Sequence, residues 1–217
     1  TSRHMFRPAV DHCEECPLGP SPSCRFKPRP IAAGAQLWEQ GAAKPTLLFI
    51  KSGLLSLDTV DVEGRALHVG VRGPRSMLGF EALQHAPARG TVVALTPATV
   101  CTLAEPGTLT AGESAQLLQL AVEELSQVER DVDLRTGPAL SRVARFFARF
   151  ERLLTPGQRA PFSKRHVASL LGLRAETFSR CLRELSRLGV LASARQPSVR
   201  DAAELDAIAA GSLPEEC

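Results

Sequence analysis

The pattern of apolar and polar positions changes character along the chain. From Ile31 to Leu109 the apolar residues come in short runs broken by glycine, as in GAQLWEQG, LLFIKSGLLSLDTV, ALHVGVRG and TVVALTPATVCTLA. Strands of about five residues, recurring every eight to twelve, predict a sandwich or barrel. Nothing in this stretch is long enough for a crossover helix, so the pairing is expected to be antiparallel.

The period then becomes helical. In AGESAQLLQLAVEELSQVERDVDLRTGP, the positions Leu118, Ala121, Leu125, Val128 and Val132 follow alternating steps of three and four and end at a Gly-Pro stop. This is a heptad seam, read either as one face of an ordinary core helix or as a helix that pairs with its own copy. With Leu118, Leu125 and Val132 at a positions and Ala121 and Val128 at d positions, Glu124 falls at g and Glu129 at the following e. In a parallel pair these two glutamates face each other across the seam, and each contact is expected to oppose pairing by roughly 0.3 to 0.5 kcal/mol.

After Pro138 the segment ALSRVARFFARFERLL predicts a second amphipathic helix. The stretch FSKRHVASLLGLRAETFSRCLRELSRLGVLA then has a helix cap at Ser163, an apolar stripe through Val167, Leu170 and Leu171, and a turn glycine at Gly172. A further helix is expected from about Ala175, with Phe178, Leu182 and Leu185 on its inner face and Arg174, Glu176, Thr177, Ser179, Arg180 and Arg183 on its exposed sides. Helix-turn-helix spacing of this kind places the N-terminal end of the second helix against base edges in the major groove. GVLASARQPSVRD resembles a wing hairpin. The predicted organisation is a cysteine-bearing arm (5–30), a β domain (31–110), a long helix (111–137) and a helix-turn-helix domain (138–217); the opening TSRHM reads as a cleavage scar ahead of Met5 and is set aside.

Composition adds little and charge adds much. The chain is 44% hydrophobic and 23% charged, as in an ordinary globular protein, and has no apolar run of membrane-spanning length. Its net charge of +3 hides an asymmetry: residues 138–200 carry 13 Lys+Arg against 3 Asp+Glu, whereas residues 1–137 carry 13 against 15. A compact basic segment suits a polyanion, because neutralising phosphates releases counterions; a solvated basic surface is the plainer reading. Lys164, at the start of the helix-turn-helix, is the expected phosphate contact.

The stretch HCEECPLGPSPSC places Cys13, Cys16 and Cys24 on an arm with five prolines between Pro17 and Pro30. No apolar leader precedes it, so a cytoplasmic, reducing location is expected and disulfides are not. Such a set, with further thiolates, suits zinc or an iron-sulfur centre, and spacing does not separate the two. Cys181 and Cys217 read as spare, and the isolated His68 and His85 as surface or packing residues.

GAQLWEQG, LLFIKSGLLSL, LGFEAL, the long helix and LGLRAETFSRCLRELSRLGVL together resemble the CRP/FNR transcription regulators over nearly the whole length, and within them the FNR branch of iron-sulfur oxygen sensors. The resemblance implies an α+β fold: an N-terminal antiparallel β-roll like a cyclic-nucleotide-binding jelly roll, a long dimerisation helix and a C-terminal winged helix-turn-helix. It implies a 4Fe-4S cluster on Cys13, Cys16, Cys24 and Cys101, although the PLGPSPS loop before Cys24 is longer than the spacing common in the family. Oxygen is then the signal, with nitric oxide a second candidate. The implied partners are a second copy of the chain, RNA polymerase, and double-stranded DNA with palindromic TTGAT-like half-sites, with no membrane. Glu176, Ser179 and Arg180 match the E-x-x-S-R pattern that FNR-like proteins use on those half-sites.

Two other classes compete. A cyclic-nucleotide or other small-ligand responsive regulator of the CRP type, carrying a zinc or thiol-redox site, would use the same β-roll. Its phosphate cradle resembles a Gly-Glu turn facing Arg-Ser or Arg-Thr, where this chain has Gly79-Phe80-Glu81 and Arg89-Gly90. A cupin-like metalloenzyme would need clustered histidines, which residues 31–110 lack, so no catalytic residues are expected.

Overall fold

The computed structural model describes residues 26–64, 66–103, 110–151, 163–195 and 197–211. Cys13, Cys16, Cys24 and Cys217 lie outside them. Among the described residues eight strands make the β domain: β1 (Lys27–Ile31), β2 (Gln36–Trp38), β3 (Leu47–Ser52), β4 (Leu55–Val60), β5 (Ala66–Arg72), β6 (Met77–Leu78), β7 (Thr91–Ala94) and β8 (Ala98–Leu103). They pair antiparallel throughout, in two four-stranded sheets of order β1-β8-β3-β6 and β2-β7-β4-β5.

Side-chain alternation explains the layers. Leu48 and Ile50 of β3, with Val100 of β8, point between the sheets and meet Leu55, Val92 and Ala94. Leu47 and Phe49 point the other way and are buried with Cys101 and Leu103. Both faces of β3 are therefore covered, which is why it reads as a continuous apolar run instead of an alternating one. Pro28 and Pro30 sit in β1, an edge strand, where a missing N–H can face away from the ladder. The β3–β4 hairpin turns at Gly53 (φ +86°), where a Cβ would lie 2.5 Å from the Pro97 carbonyl oxygen.

Helix α1 (Ala111–Asp133) starts with a capping box: the Thr110 hydroxyl accepts from the Glu113 N–H, and the Glu113 carboxylate accepts from the Thr110 N–H. One face of α1 closes the outer β sheet through Leu117 and Leu120. Helices α2 (Ala139–Glu151), α3 (Lys164–Leu170), α4 (Ala175–Arg187) and α5 (Ala202–Ala210) follow. Their core, around Phe146, Phe150, Phe178, Leu182 and Leu185, continues into Leu54 and Val71 of the β domain and Leu134 beyond α1.

Three expectations are corrected. The segment after the expected wing, for which no helix is expected from the sequence, contains α5, whose Leu205 and Ile208 are buried against the helical core. Ala121, placed in the seam, is half-buried, whereas Val122, not placed there, is 57% exposed. Glu124 does not face a partner helix. Its carboxylate turns back onto β5 and pairs with Arg72, a buried guanidinium that also has Asp131 in reach.

Candidate functional site

The helix-turn-helix is built from local signals. The Ser163 hydroxyl accepts from the His166 N–H at 3.1 Å to cap α3, and Gly172 takes φ +62° in the turn. In α4 the buried stripe Phe178, Cys181, Leu182 and Leu185 leaves Glu176, Ser179, Arg180 and Arg183 together on the opposite side, where with Ala175 they line one open concavity of about 420 Å³. Arg174 is exposed at the N-cap and Thr177 is half-buried. Lys164 donates to the Ala194 carbonyl at 2.8 Å, tying α3 to the hairpin closed by the Leu191–Val199 bridge. Burial raises the pKa of the Cys181 thiol, as expected of a packing residue.

Much of the basic charge is spent internally. Arg142 donates to the Gly137 and Leu171 carbonyls, and Arg145 to those of Asp133 and Thr136. Arg149 binds Asp131 at 2.9 Å and Gln127 at 2.9 Å. Asp131 also accepts from Arg72 at 2.5 Å, and Arg72 reaches Glu124 at 2.5 Å, so two arginines and two acids cross-link β5, α1 and α2. Burial works against the Arg72 charge, but Glu124 and Asp131 outweigh it and hold its pKa above the ordinary value. Burial raises the Glu124 carboxyl, with Arg72 pulling against it, and the buried Glu124 Oε2 has no hydrogen-bond partner among the described residues.

Glu124 also borders a cavity of about 330 Å³ in the β domain, lined by Trp38, Phe80, Glu81 and Arg89 among others. The Glu81 and Arg89 singled out in the sequence thus reach one cavity, but two carboxylates there oppose a single guanidinium, a poor balance for a phosphodiester. Cys101 is 5% exposed on the outer face of β8, packed with Leu117 and Leu120 of α1. Its partner on the edge strand β1 is Pro28, and on β3 Phe49. Cys24 precedes Pro28 by four residues, a span of at most about 14 Å.

The opposite side of α1 carries Leu118, Val122, Leu125 and Val132, all exposed, with Glu129 exposed beside them, while Val128, also exposed, lines the cavity bordered by Glu124. Beyond α1, Arg135 donates to the carbonyls of His68 in β5 (2.8 Å) and Leu170 in α3 (3.0 Å).

Two family models cover most of this architecture: the cyclic nucleotide-binding domain over residues 28–110 and the Crp-like helix-turn-helix domain over residues 141–208. The chain belongs to the CRP/FNR family of transcription regulators. It is a DNA-binding regulator and not an enzyme. The transcriptional activator protein FnrA of Stutzerimonas stutzeri is 27% identical over 198 residues, covering 85% of this chain and 81% of that protein. The CRP-family regulator TTHB099 of Thermus thermophilus superposes with a TM-score of 0.73 at 25% identity, over 86% of this chain and 98% of its own. FixK2 of Bradyrhizobium japonicum gives 0.68 at 22% identity, over 83% and 96%, a likeness of fold. No helix among the described residues is long and apolar enough to cross a membrane.

Proposed function

We propose that this CRP/FNR regulator is an oxygen-responsive member of the FNR type, with nitric oxide as a second signal, whose Cys13, Cys16, Cys24 and Cys101 hold a 4Fe-4S cluster. The position of Cys101 carries the reading. A thiol on the outer sheet face lies beside the edge strand into which the cysteine-bearing arm runs, and against the first turns of α1. The donor set fits, since four thiolates are the usual complement of a cube. When bound, the cluster supplies an oxygen-labile tie between the arm and the β domain.

The chain's own residues supply the rest of the switch. Leu117 and Leu120 couple the surroundings of Cys101 to one face of α1, while Leu118, Val122, Leu125 and Val132 offer the other face to a second copy. Pairing would set two α4 helices on a palindromic operator of TTGAT-like half-sites, from which RNA polymerase is influenced. Arg180 has the donors for guanine O6 and N7, Glu176 can accept from cytosine N4, and Ser179 can contact thymine. Arg135 and Arg145 brace the hinge between α1 and α2, so displacement of α1 would reach α4.

The test is anaerobic operator binding followed by admission of air. The expected result is a dimer that binds in nitrogen and loses both pairing and DNA on oxygen exposure; binding indifferent to oxygen and to chemical reductant would refute it.

The match of residues 28–110 to the cyclic nucleotide-binding domain supports a second reading, a small-ligand regulator. Cyclic AMP or cyclic GMP raising operator affinity of the cluster-free chain would favour it over the first.

A further inference from the structure

We propose that Asp58 of β4, His68 of β5 and His166 of α3 form a binding site for a divalent transition-metal cation of the zinc class, joining the β domain to the first helix of the helix-turn-helix. The three side chains come from three elements, and one donor atom of each lies within 4.8 Å of the others. Donors at 2.0 to 2.2 Å from one ion stand up to about 4 Å apart, so closure needs shifts of roughly an ångström or less. His68 Nδ1 is 2.7 Å from Asp58 Oδ1, and the two imidazoles stack at 3.4 Å between centroids with 14° between planes. A cation would replace the shared proton of the His68–Asp58 contact, and the stacked rings would turn about their Cα–Cβ and Cβ–Cγ bonds to bring their in-plane lone pairs onto one ion.

The supporting contacts are those of a metal centre. The Ser56 hydroxyl, 1% exposed as a residue, donates to Asp58 Oδ2 at 3.2 Å and leaves Oδ1 to face the histidines. Arg135 ties the two histidine-bearing elements together through the carbonyls of His68 and Leu170. All three ligands are half-buried, which leaves room for water at a fourth position. Two imidazoles and one carboxylate are a borderline donor set that suits zinc, cobalt or nickel, whereas magnesium and calcium prefer oxygen throughout. Occupancy would lock α3, and with it the recognition helix, to the β4–β5 hairpin. This site shares no residue with the proposed cluster.

The test is titration of the full-length, reduced protein with Co²⁺ alone, read optically. In Cys13→Ser/Cys16→Ser, where the cluster thiolates no longer compete, we expect one cobalt per chain giving ligand-field bands without thiolate charge transfer, and affinity lower by about tenfold or more when His68→Gln or His166→Gln is added. His166→Gln keeps the α3 cap, which uses the backbone N–H. Cobalt affinity unchanged by both histidine substitutions, or a signal abolished by the cysteine substitutions, would overturn the site. If the histidine variants do not fold, X-ray absorption of Cys13→Ser/Cys16→Ser carrying one zinc decides: scattering from two imidazoles supports the proposal, and a shell without imidazole overturns it.

Discussion

Replacing Leu125 by alanine separates pairing from folding, because the side chain is 60% exposed on a single chain while Leu117, on the other face of the same helix, is 5% exposed. The substitution removes three carbons, worth about 0.8 kcal/mol each when fully buried. With roughly six-tenths of that surface left for a partner to cover, the loss is about 1.4 kcal/mol per chain and about 3 kcal/mol per dimer. The dimer dissociation constant should therefore rise by about two orders of magnitude. Leu117→Ala should instead leave a cavity beside Cys101 and cost about 2 to 5 kcal/mol of folding stability. Sedimentation of the anaerobic protein across a concentration series measures the first effect, and thermal denaturation the second. A Leu125→Ala dimer as tight as the wild type would show that chains do not pair through this face. The repulsion between Glu124 and Glu129 expected from the heptad register plays no part, since Glu124 is held on Arg72.

Other residues give sharper local readouts. Arg180→Ala should cost about 1 to 3 kcal/mol on a cognate operator and relax discrimination at one base pair, whereas Lys164→Ala, which frees the Ala194 carbonyl, should weaken cognate and random DNA alike in a mobility-shift series. Equal losses on both DNAs for Arg180→Ala would refute base reading. Gly70→Ala would set a Cβ 2.7 Å from Asp131 Oδ2 and 2.8 Å from Arg72 Nη1. A destabilisation of about 1 to 3 kcal/mol and a melting temperature lower by several degrees are therefore expected by calorimetry. The folded chain holds the Glu124 proton more tightly than the unfolded chain. Its contribution to stability is thus present below about pH 4.5 and lost as pH rises through the higher folded value. Melting curves of wild type against Glu124→Gln should show the wild-type advantage shrinking as pH rises from 4.5; an advantage that grows would contradict the assignment.

Signals that lie close together in the chain are legible in the sequence, and juxtapositions are not. Ser163, Gly172 and the Phe178–Leu182–Leu185 stripe specify the helix-turn-helix within one short stretch, and glycine-broken runs specify antiparallel strands. The α1 pattern announces an amphipathic helix but not what its polar residues meet, so the heptad register misses the pairing of Glu124 with Arg72 and leaves the exposed Val122 out. Helix α5 has only Leu205 and Ile208 as anchors in an alanine-rich segment, too few to mark a buried stripe. The basic count of residues 138–200 points to a polyanion without revealing that Arg142, Arg145 and Arg149 serve backbone carbonyls and buried acids. His68 looks isolated in the sequence because its neighbour, His166, belongs to another domain. Only the packing of β5 against α3 brings them together.

Iron and acid-labile sulfide, measured on protein prepared without air, test the central claim most directly. The account predicts about four of each per chain, lost in Cys13→Ser, Cys16→Ser and Cys101→Ser and retained in Cys181→Ser and Cys217→Ser. Stoichiometric zinc on these cysteines, with iron never incorporated, would contradict it.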